Sequence, residues 1–281
     1  MSEPRPSVRR RRLATLLTRL REEAGKTPEE AAERIGCHRS RISRIENARL
    51  GLSLGELRDL LTFYGVDDPR YVDELCSLAR RGNERGWVQR LGVAMPSYAD
   101  YIDYEQTASY IRSYQPMLVA GLLQTADYAR ALFRASPVRM PPHRVDELVT
   151  VRMQRQEVLA GGRAPHVCVI EGEGALRGQV GGPKVMQAQL EHLQAMAEAV
   201  DLQVLPFRAG AHAGVMGSFV LFSFPTPAFS DVVCIEHRTG TLYLETPEET
   251  DVYTLTFDSL RSAALSPSES LDLITRIKQE L

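Results

Sequence analysis

The sequence predicts two domains of different class. One is an all-α bundle over residues 1–82. The other is an α+β domain with a mostly antiparallel sheet over residues 98–281, and a connector at 83–97 joins them. Three observations lead to this reading. Apolar residues recur at helical spacing through the first domain, whereas short β-rich runs begin at His166. Charge is also divided: residues 1–49 hold 13 Lys/Arg against 7 Asp/Glu, while residues 50–281 hold 21 against 29. A chain of 281 residues is long enough for two ordinary cores.

The elements of the first domain follow in order. Leu13, Leu16, Leu17, Leu20 and Ala24 mark one helix, with the basic cluster Arg9–Arg12 just before it. That cluster reads either as a solvated tail or as an arm for phosphate or the minor groove. A short helix is expected over about Pro28–Ile35. Thr27 is its N-cap, Pro28 its first residue, and Glu30 stands where a reciprocal capping box needs it. Ala31, Ala32 and Ile35 form its inward stripe, and Gly36 supplies the turn. A second helix over about Arg39–Asn47 points Ile42 and Ile45 inward. Arg39, Ser40 and Arg44 then project outward. This is the construction of a helix-turn-helix that reads DNA, in which an arginine pairs with guanine O6 and N7. Arg39, Ser40 and Arg44 are the expected base contacts, and Thr27, Arg41 and Asn47 the expected backbone contacts. Leu54, Leu57, Leu60, Leu61 and Tyr64 give a further helix. Pro69 opens the last, with Tyr71, Leu75 and Leu78 on one face, and the domain ends near Arg81–Asn83.

The second domain reads as helical from 98 to 160, with Tyr101, Ile102, Glu105, Ala108, Ile111 and Arg112 in step. Thr125 caps a helix through about Phe133, and another should run from Pro142 to Leu159. His166–Ile170 is β-rich, and Pro183–Val200 is helical. Strands are expected at 201–207, 218–224, 231–236 and 241–245, the last two joined through Arg238–Gly240. Thr250–Leu260 reads as helix despite its Thr, Val and Tyr content, and Ser266-Pro267 starts a final helix. Four or five strands flanked by helices make the α+β domain.

Composition narrows the function. No run of 18 apolar residues offers a membrane span, and the basic N-terminal residues lack the apolar stretch of a secretory signal. Cys37, Cys76, Cys168 and Cys234 are scattered without a C-x-x-C pair, as expected of reduced thiols in a cytoplasm. Catalytic constellations are weak. Glu171 and Glu173 flank a glycine, His212 sits in a Gly-Ala-His-Ala-Gly loop, and Glu236-His237 ends a strand. There is no H-E-x-x-H, nucleophile elbow around Ser218, P-loop or dinucleotide fingerprint. No enzyme activity, metal or cofactor is expected.

The first domain resembles the Xre (phage-repressor-like) helix-turn-helix family. Arg21, Gly25, Thr27, Glu29, Ala32, Gly36, Ser40, Ile42, Ser43, Arg44 and Glu46 carry the likeness. The resemblance implies an internal ion pair of Arg21 with Glu46. Pro28 departs from the family, which usually has a phosphate-touching Gln there, and His38 stands where a Ser cap is common. A second likeness covers nearly the whole chain. It rests on Gly86-Trp87, Glu105, the run Gly121–Arg130, Arg152 with Arg155-Gln156, Glu171–Arg177, Leu205-Pro206, Gly210 with His212, and Gly217–Phe219. These are similar to actinobacterial Xre regulators with a C-terminal domain of unknown function, of the WhiJ type. The resemblance implies a transcription factor, often with a small protein partner in an antitoxin-like relation. A sequence-specific regulator of double-stranded DNA is thus expected. Because one recognition helix reads few base pairs, it should be a homodimer. The alternatives are a module whose main role is holding a small partner protein, and an enzyme tethered to DNA.

Overall fold

The computed structural model describes residues 8–83, 96–162, 164–225 and 230–281. The chain divides into two compact units, Met1–Gly92 and Val93–Leu281. Most of the expected connector, including Gly86, Trp87 and Val88, lies outside the described residues.

Among the described residues the first unit has five helices: α1 (Val8–Glu23), α2 (Pro28–Arg34), α3 (Arg39–Glu46), α4 (Leu54–Phe63) and α5 (Pro69–Asn83). Leu17, Ala31, Ile42, Leu57, Leu61 and Leu75 fill its core. Reciprocal capping boxes start α2 (Thr27 with Glu30) and α4 (Ser53 with Glu56). Gly36 adopts φ 64° and so makes the turn between α2 and α3 without steric cost. Arg9–Arg12 fall inside α1 and not before it, which corrects the expectation of a tail or arm preceding the helix. Arginine is a good helix former, and Arg9 is itself buried.

The second unit opens with α6 (Pro96–Thr107) and strand β1 (Tyr110–Gln115), then a 3-10 turn (Gly121–Leu123), α7 (Ala126–Arg134) and α8 (Pro142–Arg155). A 3-10 turn at Gln156–Leu159 ends that arm. There follow β2 (His166–Gly172), the short α9 (Glu173–Arg177), α10 (Pro183–Met196) and β3 (Asp201–Leu205). After 3-10 turns at Phe207–Ala209 and Ala213–Met216 come β4 (Phe219–Ser223), β5 (Val232–His237) and β6 (Gly240–Leu244). Two helices, α11 (Pro247–Ala263) and α12 (Pro267–Gln279), close the unit.

The unit is α+β, with one six-stranded sheet of order β3-β2-β1-β4-β5-β6. The β1–β4, β4–β5 and β5–β6 pairings are antiparallel, whereas β1–β2 and β2–β3 are parallel. Two expectations are corrected. Among the described residues there are six strands rather than four or five, and the helical spacing read through Ile111 and Arg112 belongs to β1 beyond Thr107. A central strand buried on both faces loses the alternation that would have marked it. Arg112 is tolerated there because Nη2 donates to Ser223 Oγ (2.9 Å) and Asp231 Oδ2 (3.0 Å).

One face of the sheet packs Tyr114, Phe219 and Leu221 on Phe257 and Leu260 of α11. On the other face the rings of Tyr101 and Tyr104 from α6 meet Phe222. The threonines of α11 return their hydroxyls to the helix, as Thr254 does to Thr250 O at 3.0 Å, so the helix stands despite them. The β3 edge is closed by the link after α11 and the first turns of α12. Val204 N donates to Ser270 Oγ (2.9 Å), and Val204 O accepts from Leu265 N (2.9 Å). Among the described residues no helix is long and apolar enough to cross a membrane.

Candidate nucleic-acid interface

The site is the outer face of α3 with the ends of its neighbours. His38 caps the helix. Its Nδ1 accepts from Ser40 N (3.4 Å) and lies 3.1 Å from Ser40 Oγ, so a histidine does what a serine cap would. Ile42 and Ile45 are buried, which fixes the rotation of the helix. Arg39, Ser40, Ser43, Arg44 and Asn47 consequently face solvent. At the far end Asn47 Nδ2 donates to Ser43 O (2.7 Å), and the amides of Arg49 and Leu50 turn back to Arg44 O. That reversal puts Ala48 at φ 58°, in the left-handed region usually left to glycine.

Three ion pairs tie α3 to the bundle. Arg21 Nε donates to Glu46 Oε1 at 2.7 Å and Nη2 to Oε2 at 3.2 Å, a two-pronged pair whose side chains are only 9% and 12% exposed. Arg21 Nη1 also reaches Lys26 O (2.9 Å), so α1 holds both the α1–α2 turn and the end of α3. Arg41, expected on the phosphate backbone, is turned onto Glu56 at the start of α4 at 2.5 and 3.1 Å. The Arg41 bonds, together with those from Ser53, hold the Glu56 carboxyl down to about 2. Arg39 Nε lies 2.8 Å from Glu29 Oε1, but both side chains are more than half exposed. Thr27 spends its hydroxyl on Glu30, donating to Oε2 (2.9 Å) and accepting from the Glu30 amide (3.2 Å).

Arg39, Ser40 and Arg44 therefore share an open surface with Asn47, whereas Arg41 and Thr27 are engaged within the fold. Sequence reasoning missed the Arg41–Glu56 and Arg39–Glu29 pairs. The Ser53-x-x-Glu56 box was a visible signal that Glu56 sits on a helix start, but nothing local said which arginine would meet it.

In the second unit the residues that carry the wider resemblance converge on the segment Val119–Thr125. Glu171 Oε1 accepts from Ala120 N (2.8 Å), and Tyr128 Oη accepts from Val119 N (3.1 Å). Gln124 Nε2 donates to Val119 O and Gln156 Nε2 to Gln124 O, both at 2.7 Å. Gln189 takes the Thr125 amide (2.7 Å) and gives to Leu123 O (2.6 Å). Beside them Arg155 pairs with Glu105 through two bonds of 3.0 and 2.7 Å, fully buried and stacked on Tyr101 and Tyr98. A Cβ on Gly121 would meet Arg152 Nη1 at 2.4 Å, so any larger residue there would have to displace the end of that side chain.

The carboxylates weighed as a pair go separate ways. Glu171 is buried, and burial pushes its carboxyl up to about 8. Glu173 binds Arg177 (2.7 Å) and the Phe207 amide (2.9 Å). His212 Nδ1 accepts from Gly214 N (3.1 Å) and so shapes its own loop. Among the described residues no three His, Cys, Asp or Glu side chains gather where they could hold a metal ion.

Comparison with known proteins divides the chain in the same way. Residues 12–75 match a helix-turn-helix domain. Residues 98–276, more than half of the chain, match the family described as "Domain of unknown function (DUF5753)". No curated protein and no solved structure matches it.

Proposed function

The chain belongs to the DUF5753 family, and on that premise we propose that it is a sequence-specific, DNA-binding transcriptional regulator working as a homodimer in the cytoplasm. It is of the Xre and WhiJ-like kind, and neither catalytic chemistry nor a cofactor enters its action. The observation that carries the reading is α3 itself. Its buried isoleucines and its ion pairs to α1 and α4 fix one face outward, and that face bears Arg39, Ser40 and Arg44. Arg44 is the specificity residue of this reading. Arg39 exchanges the exposed Glu29 for a base edge, and an exposed pair of that kind is cheap to give up. Arg41 positions the helix rather than touching phosphate, while Asn47 and Thr27, each at a helix end, are the backbone contacts of this reading. The second unit pairs the copies and holds a small partner protein or an effector; the antitoxin-like reading is the version in which that capture is the main role.

The test is selection of bound duplexes from random DNA by the full chain, followed by titration of the winner and its single-base variants. Arg44→Ala should weaken the selected site by about 1–3 kcal/mol and relax preference at one base pair. Uniform weakening across all variants would reduce Arg44 to a phosphate contact. No enrichment of any duplex would sink the regulator reading.

A further inference from the structure

Every large apolar side chain that the described residues leave exposed belongs to the second unit. Five of them gather at one end of the sheet. Register places Gln115 opposite Glu171, Gly172 opposite Leu205, and Tyr114 opposite Phe219. The exits from β1, β2 and β3 and the entry to β4 therefore share one end. There Met117 is 72% exposed, Phe207 66% and Met216 94%, with Leu118 and Val215 beside them. They are neighbours through the backbone. A Cβ on Gly174 would lie 3.2 Å from Pro116 O and 3.7 Å from the Phe207 ring. The 213–216 turn sits on the same end, with Gly214 pressed against the Tyr114 ring. Residues 206–218 contain no carboxylate, and Arg208 is exposed next to Phe207.

A second exposed surface has the complementary character. The outer face of α11 carries Val252 (59% exposed) and Leu255 (70%), three residues apart and so side by side. Exposed Asp251 and Asp258 flank them. α11 packs against the 213–216 turn, where Leu260 approaches Gly214. The apolar-basic end and the apolar-acidic helix face are thus adjacent on one unit. Adjacent complementary patches are what a two-fold pairing needs, because each copy then offers both halves and the assembly closes at two. An apolar patch with flexible methionines is also a surface suited to covering by a helix.

The geometry points to a second copy of this chain as the occupant: Val252 and Leu255 of one copy's α11, flanked by Asp251 and Asp258, lie on Met117, Phe207 and Met216 of the other beside its Arg208. This rests on the dimeric reading above and gives it a surface.

The full chain without DNA tests it, by light-scattering mass across a concentration series. The wild type should have twice the monomer mass. Met216→Asp and Leu255→Asp should each raise the dissociation constant about tenfold or more, whereas Leu242→Asp on β6, also exposed, should leave it unchanged. Mixing Met216→Cys with Leu255→Cys should give a disulfide between unlike copies that neither variant forms alone. If an aspartate variant misfolds by circular dichroism, this cross-link decides. A monomeric wild type, or a dimer indifferent to both aspartates and without the cross-link, overturns the proposal. DNA retention on the same samples keeps the two readings apart: a monomer that still selects DNA removes the pairing surface only, and a dimer that selects none removes the regulator only.

Discussion

The two units differ in how deeply they bury charge and in how much apolar surface they leave open. In the first, charge is spent on holding α3, through the nearly buried Arg21–Glu46 pair and the partly exposed Arg41–Glu56 pair, and among the described residues large apolar side chains are covered. In the second, Glu105, Arg112, Arg155 and Glu171 are buried, while methionines, valines and a phenylalanine are left outside. A buried charge network costs desolvation and returns specificity of arrangement only if every member is satisfied. An exposed apolar patch costs solubility and returns association. On the reading proposed above, the first unit presents its surface to a polyanion and the second is met by protein.

The largest effect that could break this contrast lies at Arg155. Arg155→Met leaves the Glu105 carboxylate buried without its partner, which should cost about 3–5 kcal/mol. Hydrogen exchange on the full chain should show the loss in the second unit alone. Adding Glu105→Leu should restore most of it, since an apolar pair of similar volume avoids the desolvation. If Arg155→Met is as mild as Arg39→Met at the exposed Glu29 pair, the buried charges are not scaffolding.

The acids sharpen the contrast because they shift in opposite directions. Glu56 is lowered to about 2. Its contribution is present above the ordinary carboxyl range near 4.3 and is lost as pH falls toward 2. Glu56→Gln should therefore weaken the first unit by about 1–2 kcal/mol at neutral pH, partial exposure having reduced the full linkage value, and by progressively less as pH falls through 2. Glu171 is raised to about 8. The folded second unit holds that proton, so stability is greatest below the unfolded value and declines as pH rises to 8, by at most about 1.4 kcal/mol per unit. Glu171→Gln should flatten that decline. Exchange protection measured from pH 4.5 to 8 should fall in the second unit of the wild type and not in the variant.

The smallest effect is local strain. Ala48 is buried at φ 58° behind the recognition helix. Ala48→Gly should raise the stability of the first unit by about 1 kcal/mol without altering the second, read from the same exchange data. A loss instead would mean that the methyl group's packing outweighs the strain.

How far these features could be read in the sequence follows the same division. The α2 and α3 limits were legible to within a residue or so because a cap, a period and a turn glycine are local signals. β1 was not legible. Its partners His166 and Ser223 are far along the chain, and burial on both faces erased the pattern. Arg39 and Arg44 could be placed on an outer face by periodicity, but the turning of Arg41 onto Glu56 depends on how α4 packs. In the second unit Gln124, Gln156, Gln189 and Glu171 gave no local hint of a shared task. Each binds the backbone of Val119–Thr125, Gln124 from within it and the other three from far along the chain, and that task exists only once the chain has folded.

The closure of β3 by the chain at 265–270 has a consequence in time. Parallel β2 and β3 can come together once residue 205 has left the ribosome, but Val204 then presents an open amide and carbonyl at the margin of the sheet. Only when Leu265 and Ser270 have left the ribosome are both groups taken. For the sixty or so residues of synthesis in between, the nascent protein carries an unfinished border of the kind on which neighbouring chains pair.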